Sequence, residues 1–338
     1  MTRLGYAATV LILAAASAGL LIRYVVLTPT EVFTPPRIVS IQKGESMNSA
    51  ARDLALAGVV RSQMAFVVYA KMTGDAKRVK PGDYAFKGGE RVPDVMRHLV
   101  KGDFVVVTIT IPEGLSVHEI AERVAATGLV CEDEFENAAR DGEIVHALGL
   151  MPLGAEGYLF PATYKFSPHA KINDVLVAML ARFYQVLTPQ VEERMFKAGL
   201  DARRLVTMAS IVEKEAKAPS ERPLIAGVFY NRLKLGMPLQ SDPTAQYELD
   251  GDKESAANAV HTTSAFNTYD FTGLPPGPIA NPGLKSIEAA LNPTQTDYLY
   301  FVAREGGTHV FSKSYDEHRR VIASERKVPA APAATSVK

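Results

Sequence analysis

Two glutamates, Glu213 and Glu215, lie two residues apart in the helix-prone stretch LVTMASIVEKEAKAPSER, residues 205 to 222. A carboxyl that keeps its proton in a dry site can protonate a leaving group, whereas the same carboxyl in water is only a charge. Helical geometry separates the two. At about 100° per residue, Val212, Ile211, Met208 and Leu205 all fall within about 80° of Glu215, so Glu215 continues an apolar stripe. Glu213 falls about 160° away, four residues before Lys217, where a solvated i,i+4 pair is expected. A carboxylate ending an apolar stripe has two fates. It emerges at the wet rim of the core, or it lies on the floor of a cleft, where desolvation raises its pKa.

The segments that follow bear on that choice. The helix in ERPLIAGVFYNRLKLG is expected to stop at Gly236, after which the chain becomes turn-rich through MPLQSDPTAQY and NTYDFTGLPPGPIANPG. Long proline-stiffened connections are costly in a compact domain unless they line something. This part of the chain carries Asn231, Gln240, Asp242, Thr244, Tyr247, Asn267, Thr268 and Tyr269. Their amide, hydroxyl and aromatic groups are of the kind that grip sugars.

Composition excludes several other chemistries. Lysine plus arginine equals aspartate plus glutamate, 37 against 37, in a chain of 338 residues. That balance gives no electrostatic case for nucleic acid. One cysteine, Cys131, leaves no disulfide framework and no thiolate-rich metal site. The seven histidines show no short ligand spacing, and no G-x-S-x-G elbow is present. No metal or cofactor is expected.

Elements that position these residues can be read along the chain. LGYAATVLILAAASAGLLI, residues 4 to 22, carries no charge between Arg3 and Arg23. Nineteen helical residues rise about 28 Å, close to the hydrocarbon thickness of a bilayer. A cleaved leader and an uncleaved anchor are both open, and the apolar run past Ala16-Ser17-Ala18 favours the anchor. Either places the bulk of the chain across the membrane from the cytoplasm. TPTEVFTPPR, residues 28 to 37, reads as a stiff linker.

Two segments then look related. Ile41, Gly44, Ser46, Ala51, Gly58 and Val60 recur, displaced by 70, as Ile111, Gly114, Ser116, Ala121, Gly128 and Val130. Each copy reads as strand, glycine turn, serine N-cap, amphipathic helix and glycine stop. The pattern resembles the LysM module, a small glycan-binding unit; a structural repeat without a ligand is the other reading. A strand is expected in KPGDYAF, a helix in RVPDVMRHLVKGD, helices at 171–198 and 201–217, and a hairpin from YLYFVAR and THVFSK.

MASIVEKEAKAPSERPLIAGVFYNRLKLGMPLQSDPTAQY resembles the catalytic segment of the endolytic murein transglycosylases of the MltG (YceG-like) family. EGYLFPATY, NTYDFTGLPPGPIANPG and YLYFVA resemble its other signature stretches, in the same order, and the likeness runs from about residue 38 to 323. The resemblance makes Glu215 the catalytic glutamate, in agreement with the helical face. It implies a substrate cleft containing Glu156, Asn231, Gln240, Asp242 and Asn267, to which side-chain chemistry adds Thr244, Tyr247 and Tyr269 as candidate substrate-binding residues. It further implies a peptidoglycan substrate, attachment by one N-terminal helix to the inner membrane, a catalytic domain on the periplasmic side, and a peptidoglycan synthase as a companion.

The expected fold is α+β. A cytoplasmic stub (1–3) leads into a transmembrane helix (4–27) and the linker (28–37). A LysM-like α/β repeat region (38–131), a mixed α+β catalytic domain (132–323) and a disordered tail (324–338) follow. Two other functions compete with the transglycosylase. One is a glycan hydrolase pairing Glu215 with Asp242 or Glu156, and the other is a non-catalytic glycan-binding anchor.

Overall fold

A computed structural model describes residues 3–141, 154–249 and 259–325. The expected tail lies outside the described residues beyond Glu325. The chain forms two compact units. The first comprises residues 1–107 with 165–169, and the second residues 108–164 with 170–338.

The first unit opens with α1 (Arg3–Leu27), 25 residues long. The side chains of residues 3–5, 7–10, 15 and 18 are not described, and among the described residues no helix is long and apolar enough to cross a membrane. The C-terminal turn of α1 does not hang free. Val26 is buried in the core of this unit, with Val25 packed beside it.

The segment read as a linker is instead the start of β1 (Val32–Ile41), which pairs antiparallel with β2 (Gly82–Gly88). Pro35 and Pro36 fall where the register shifts between Val32 and Arg37, so no ladder hydrogen bond is asked of them. Arg37 secures the segment by donating to the Ala57 carbonyl and lying 3.9 Å from the Phe33 ring centroid. Between the strands run α2 (Met47–Leu56) and α3 (Gln63–Thr73), and α4 (Val92–Lys101) follows β2. Leu54, Phe66, Phe86, Val95 and Leu99 fill the interior.

The other copy of the repeat, most of which belongs to the second unit, comprises β3 (Val107–Thr110), α5 (Val117–Ala125), α6 (Glu132–Arg140) and β4 (Thr163–Phe166), which pairs with β3. The two copies share their local devices. Gly44 and Gly114 make the turn at φ 83° and 82°, in the left-handed region that a side chain resists. Ser46 and Ser116 cap the helix that follows, accepting from the Ser49 and Glu119 N–H groups. Among the described residues the order strand, helix, helix, strand holds in both, further than the six recurring positions suggest. The sequence division groups the copies together, whereas the compact units hold one each.

Helices that follow among the described residues are α7 (Ile172–Tyr184), α8 (Pro189–Lys197), α9 (Ala202–Glu215), α10 (Arg222–Lys234), α11 (Asp242–Gln246) and α12 (Leu284–Leu291). The single helix expected over 171–198 is broken where Thr188 caps a new start with Pro189 at its first position. β5 (Tyr300–Ala303) and β6 (His309–Ser312) form the expected hairpin, and α13 (Tyr315–Glu325) closes the described chain.

Helix α9 is the central element. Every residue from Leu205 to Val212 is buried, and α10, α11 and α12 pack around it. Ser210, a polar member of that run, is satisfied in place: it donates to the Thr207 carbonyl at 2.8 Å and accepts from Ile279 N–H at 3.1 Å. Gly157 in EGYLF is required by contact. A Cβ there would lie 2.5 Å from Pro278 and 2.7 Å from Val206, and its φ is 87°.

Candidate active site

Glu215 is the last residue of α9, and the chain leaves the helix at Ala216 with extended geometry. Its side chain is neither fully buried nor exposed, a carboxyl walled by protein that solvent can still reach. Burial pushes its pKa up to about 7. The neighbouring Asp242 charge adds to the rise, while a hydrogen bond from Ser241 and the charges of Arg232 and Lys217 work against it. The position at a helix C-terminus, with its unpaired carbonyls, also disfavours a negative charge. Both effects favour the protonated carboxyl over that of an exposed glutamate.

Ser241 donates its Oγ–H to Glu215 Oε1 at 2.5 Å. Sequence reasoning did not select this residue, although it lies inside QSDPT beside two that were selected. Its placement is over-determined. Ser241 N–H donates to Thr268 Oγ1 at 3.1 Å, and Thr244 Oγ1 donates to the Ser241 carbonyl at 2.6 Å. The Thr244 and Thr268 hydroxyls bond each other at 2.7 Å. Gln240, just before, has φ 51°, a conformation unusual for a residue with a side chain. Arg232 steadies that bend: its Nη1 donates to the Leu239 carbonyl at 2.8 Å and its Nε to the Leu299 carbonyl at 2.6 Å. Arg232 is buried and lies 5.1 Å from the Tyr300 ring centroid.

The other predicted site residues divide by location. Asp242 and Gln240 are exposed, and Tyr269 is half-buried with its hydroxyl donating to Asp242 Oδ1 at 2.5 Å. Burial, with that bond and the Asp242 and Glu215 charges, drives the Tyr269 phenol well above its ordinary range. Asp242 and Tyr269 are near enough to interact with the Glu215 charge, and Gln240 precedes the serine that bonds it. Thr244 and Asn267 are fully buried. Asn267 shapes the NTYD turn by donating to the Thr262 carbonyl at 2.8 Å and accepting from Tyr269 N–H at 3.1 Å. Asn231 donates to the Thr296 and Tyr298 carbonyls at 2.8 and 3.1 Å, fixing the approach to β5. The amides of Asn231 and Asn267 are thus engaged by backbone.

Glu156 is a junction. It accepts from Val117 N–H at 2.9 Å, Asn281 Nδ2 at 2.9 Å and Tyr247 Oη at 3.1 Å. Asn281, another residue the sequence reading passed over, is fully buried and also bonds the Leu115 carbonyl and Leu159 N–H. It joins the PEGLS turn, the EGYLF segment and the PIANPG loop.

Glu213 departs from expectation. Its side chain is only 6 % exposed and pairs with Arg222 Nη2 at 2.8 Å, while Gly283 N–H donates to its other oxygen at 2.9 Å. Lys217 lies beyond the helix end, so the anticipated surface pair has no helical frame to form on. Among the described residues one trio, His118, Glu122 and Glu132, brings metal-capable atoms within 4.8 Å of one another. Glu122 is exposed, and His118 Nδ1 already lies 3.2 Å from Glu136.

Glu215 is thus a desolvated carboxyl beside polar and aromatic loops, a setting in which a carboxyl can act as a general acid. The YceG-like family profile matches residues 39–324, and the chain belongs to that family. It is 35% identical over 301 residues to the endolytic murein transglycosylase of Bacillus subtilis, covering 83% of this chain and 82% of that protein. It is 33% identical over 319 residues to the endolytic murein transglycosylase of Streptococcus pneumoniae, where it spans only 57% of the relative's length. The crystal structure of a yceG-like protein from Listeria monocytogenes superposes with a TM-score of 0.59 at 31% identity, covering 85% of this chain and 99% of that one.

Proposed function

We propose that the protein is a membrane-anchored lytic transglycosylase that cuts peptidoglycan strands internally. It breaks the β-1,4 bond between N-acetylmuramic acid and N-acetylglucosamine and leaves 1,6-anhydro ends. The observation that carries this reading is the Glu215 carboxyl, with a pKa of about 7 and one serine donor, in a chain whose relatives bear the name endolytic murein transglycosylase.

The chemistry follows from one group used twice. Protonated Glu215 gives its proton to the glycosidic oxygen as C1 gains oxocarbenium character. The resulting carboxylate takes the proton of the sugar's own C6 hydroxyl as that oxygen attacks C1. No water is consumed. An intramolecular nucleophile has a large effective concentration, so a second catalytic carboxylate is not required. A pKa near the working pH serves both half-reactions, and acid–base help of this kind contributes roughly a hundred- to ten-thousand-fold. The Ser241 hydroxyl holds the carboxyl in one orientation and steadies its charged phase. Gln240, Asp242 and Tyr269 are the proposed contacts to the sugars around the bond cut.

One observation favours a second reading. Asp242 is near enough to raise the Glu215 pKa, so a hydrolase using these two carboxylates is the alternative. Membrane attachment is proposed from the uncharged run of residues 4–22 and the 25-residue helix around it, which spans about 37 Å at 1.5 Å per residue. The shared strand, helix, helix, strand order supports reading the repeats as LysM-like glycan holders. Termination of nascent strands beside a peptidoglycan synthase completes the proposal.

Glu215→Gln tests the assignment. The variant is expected to fold and to retain glycan, yet to release no fragments from purified strands. Turnover within threefold of the unsubstituted protein refutes it.

A further inference from the structure

The zero net charge of the chain conceals a division. Residues 1–107 hold 14 lysines and arginines against 8 aspartates and glutamates, whereas residues 108–338 hold 23 against 29. The boundary between the compact units falls at the same place, and residues 165–169 add only Lys165 to the first. The first unit is therefore basic, and an asymmetry of this kind points to an anionic partner for it.

That unit also holds the end of α1 closely. Ile22 closes the uncharged run, and Val26, four residues or about 6 Å of helix further on, is already buried in the core. The chain leaving the helix is pinned at once. Arg61 Nη2 donates to the Pro29 carbonyl at 2.8 Å, and Thr30 N–H donates to the Glu90 carbonyl at 3.2 Å. With β1 in place of a linker, no slack separates α1 from the unit. On the reading of α1 as a membrane anchor, on which this inference rests, the first unit lies against the headgroups.

The helices packed against α1 are α3 and α4, and the same two line a concavity of about 480 Å³. Tyr69, Met96 and Val100 form its apolar part, and Arg78, Arg97 and Lys101 stand around it. Each cation has a carboxylate at hand. Asp75 lies 2.8 Å from Arg78, Asp94 3.1 Å from Arg97 and 2.9 Å from Arg91, and Asp103 2.9 Å from Lys101. The three lining cations are 68 %, 67 % and 71 % exposed. Exposed pairs of this kind contribute little, so a phosphate can take the carboxylate's place. Lys71 and Lys77 add charge, and neither has a carboxylate partner among the described residues. Met72, 81 % exposed, stands three residues from Tyr69 on the same side of α3. We infer that this face of α3 and α4 docks on a bilayer of anionic phospholipid. The cations bind headgroup phosphates while Met72 enters the acyl boundary, so the first unit grips the membrane surface beside its anchor.

The chain contains no tryptophan, so Met72→Trp introduces a single fluorescent reporter. The full chain carrying it is reconstituted into vesicles of phosphatidylcholine, alone or mixed with phosphatidylglycerol, whose brominated acyl chains quench the reporter on contact. Quenching is expected to rise about threefold with the anionic lipid and to return to the neutral level at high salt. Arg78→Gln, Arg97→Gln and Lys101→Gln together are expected to abolish the rise, whereas Arg78→Lys with Arg97→Lys, which keep the charge, should preserve it. Equal quenching in both vesicles overturns the inference, as does a rise that survives neutralisation of the three cations. Extraction of the chain from neutral vesicles by alkaline carbonate overturns the membrane anchor instead. Flotation of that chain with anionic vesicles but not neutral ones then still supports the basic face, and flotation with neither overturns it.

Discussion

Replacing Glu215 by glutamine should stabilise the protein, and more so at alkaline pH. In the unfolded chain this carboxyl ionises near its ordinary value, whereas in the folded one it keeps its proton up to about pH 7. A raised folded pKa means that folding favours the protonated form. The native state therefore bears no penalty below the unfolded pKa and a growing one as pH rises towards the folded value, levelling off above it. From pH 5 to pH 8 the linkage amounts to about 2.5 kcal/mol at full burial, taking 1.36 kcal/mol per unit. Solvent reaches this carboxyl, which reduces the expected effect to about 1–2 kcal/mol. Glutamine keeps the shape, accepts the Ser241 hydrogen bond through its carbonyl and never ionises. Thermal unfolding of the full chain in detergent at both pH values measures the difference. The variant should gain about 3–6 °C over the unsubstituted protein at pH 8 relative to its gain at pH 5. An equal shift at both values, or a loss at pH 8, refutes the premise that Glu215 is desolvated.

Two further substitutions probe the surroundings. Ser241→Ala removes a donor that favours the charged carboxyl, so the Glu215 pKa should rise by about one unit. The alkaline limb of the pH–rate profile, where the acid form is lost, should move from near pH 7 to near pH 8; an unmoved limb counts against the hydrogen bond. Glu213→Ala leaves Arg222 buried without its carboxylate partner and is expected to cost about 3–5 kcal/mol. Denaturant unfolding checks it, and a cost below 1 kcal/mol shows the pair to be wet.

How much of this was legible in sequence depended on how local the determinants are. Glu215 was legible because helical periodicity is a local property. Glu213 was misread by the same wheel, which assumes one buried face. Helix α9 is covered on several sides, and the arginine that receives Glu213 comes from the next helix. The glycine turns and serine caps of the repeat were legible because a positive φ and a free helix N-terminus demand particular residue types. The stretch TPTEVFTPPR was not, since its prolines signal a break and only pairing with β2, some fifty residues away, makes it a strand.

The fold around the acid shows the same limit. Selecting residues by polar chemistry gathered Asn231, Thr244 and Asn267 with Gln240, Asp242 and Tyr269, yet of these only Asp242 and Tyr269 interact with the Glu215 charge. The side chains of Asn231, Thr244 and Asn267 are spent on backbone carbonyls; amides and hydroxyls that grip sugars also hold turns, and sequence does not distinguish the uses. Ser241 and Asn281 went unselected for the opposite reason, because a single serine or asparagine among prolines carries no signal until the turn is closed.

Isotopic labelling tests the proposed chemistry most directly. Glycan strands are cleaved in water enriched in oxygen-18, and the new ends are analysed by mass. With Glu215 acting alone and the C6 hydroxyl as nucleophile, the new ends lack one water and carry no label. Reducing ends bearing oxygen-18 would mean that water attacks C1, and would replace this account with a two-carboxylate hydrolase.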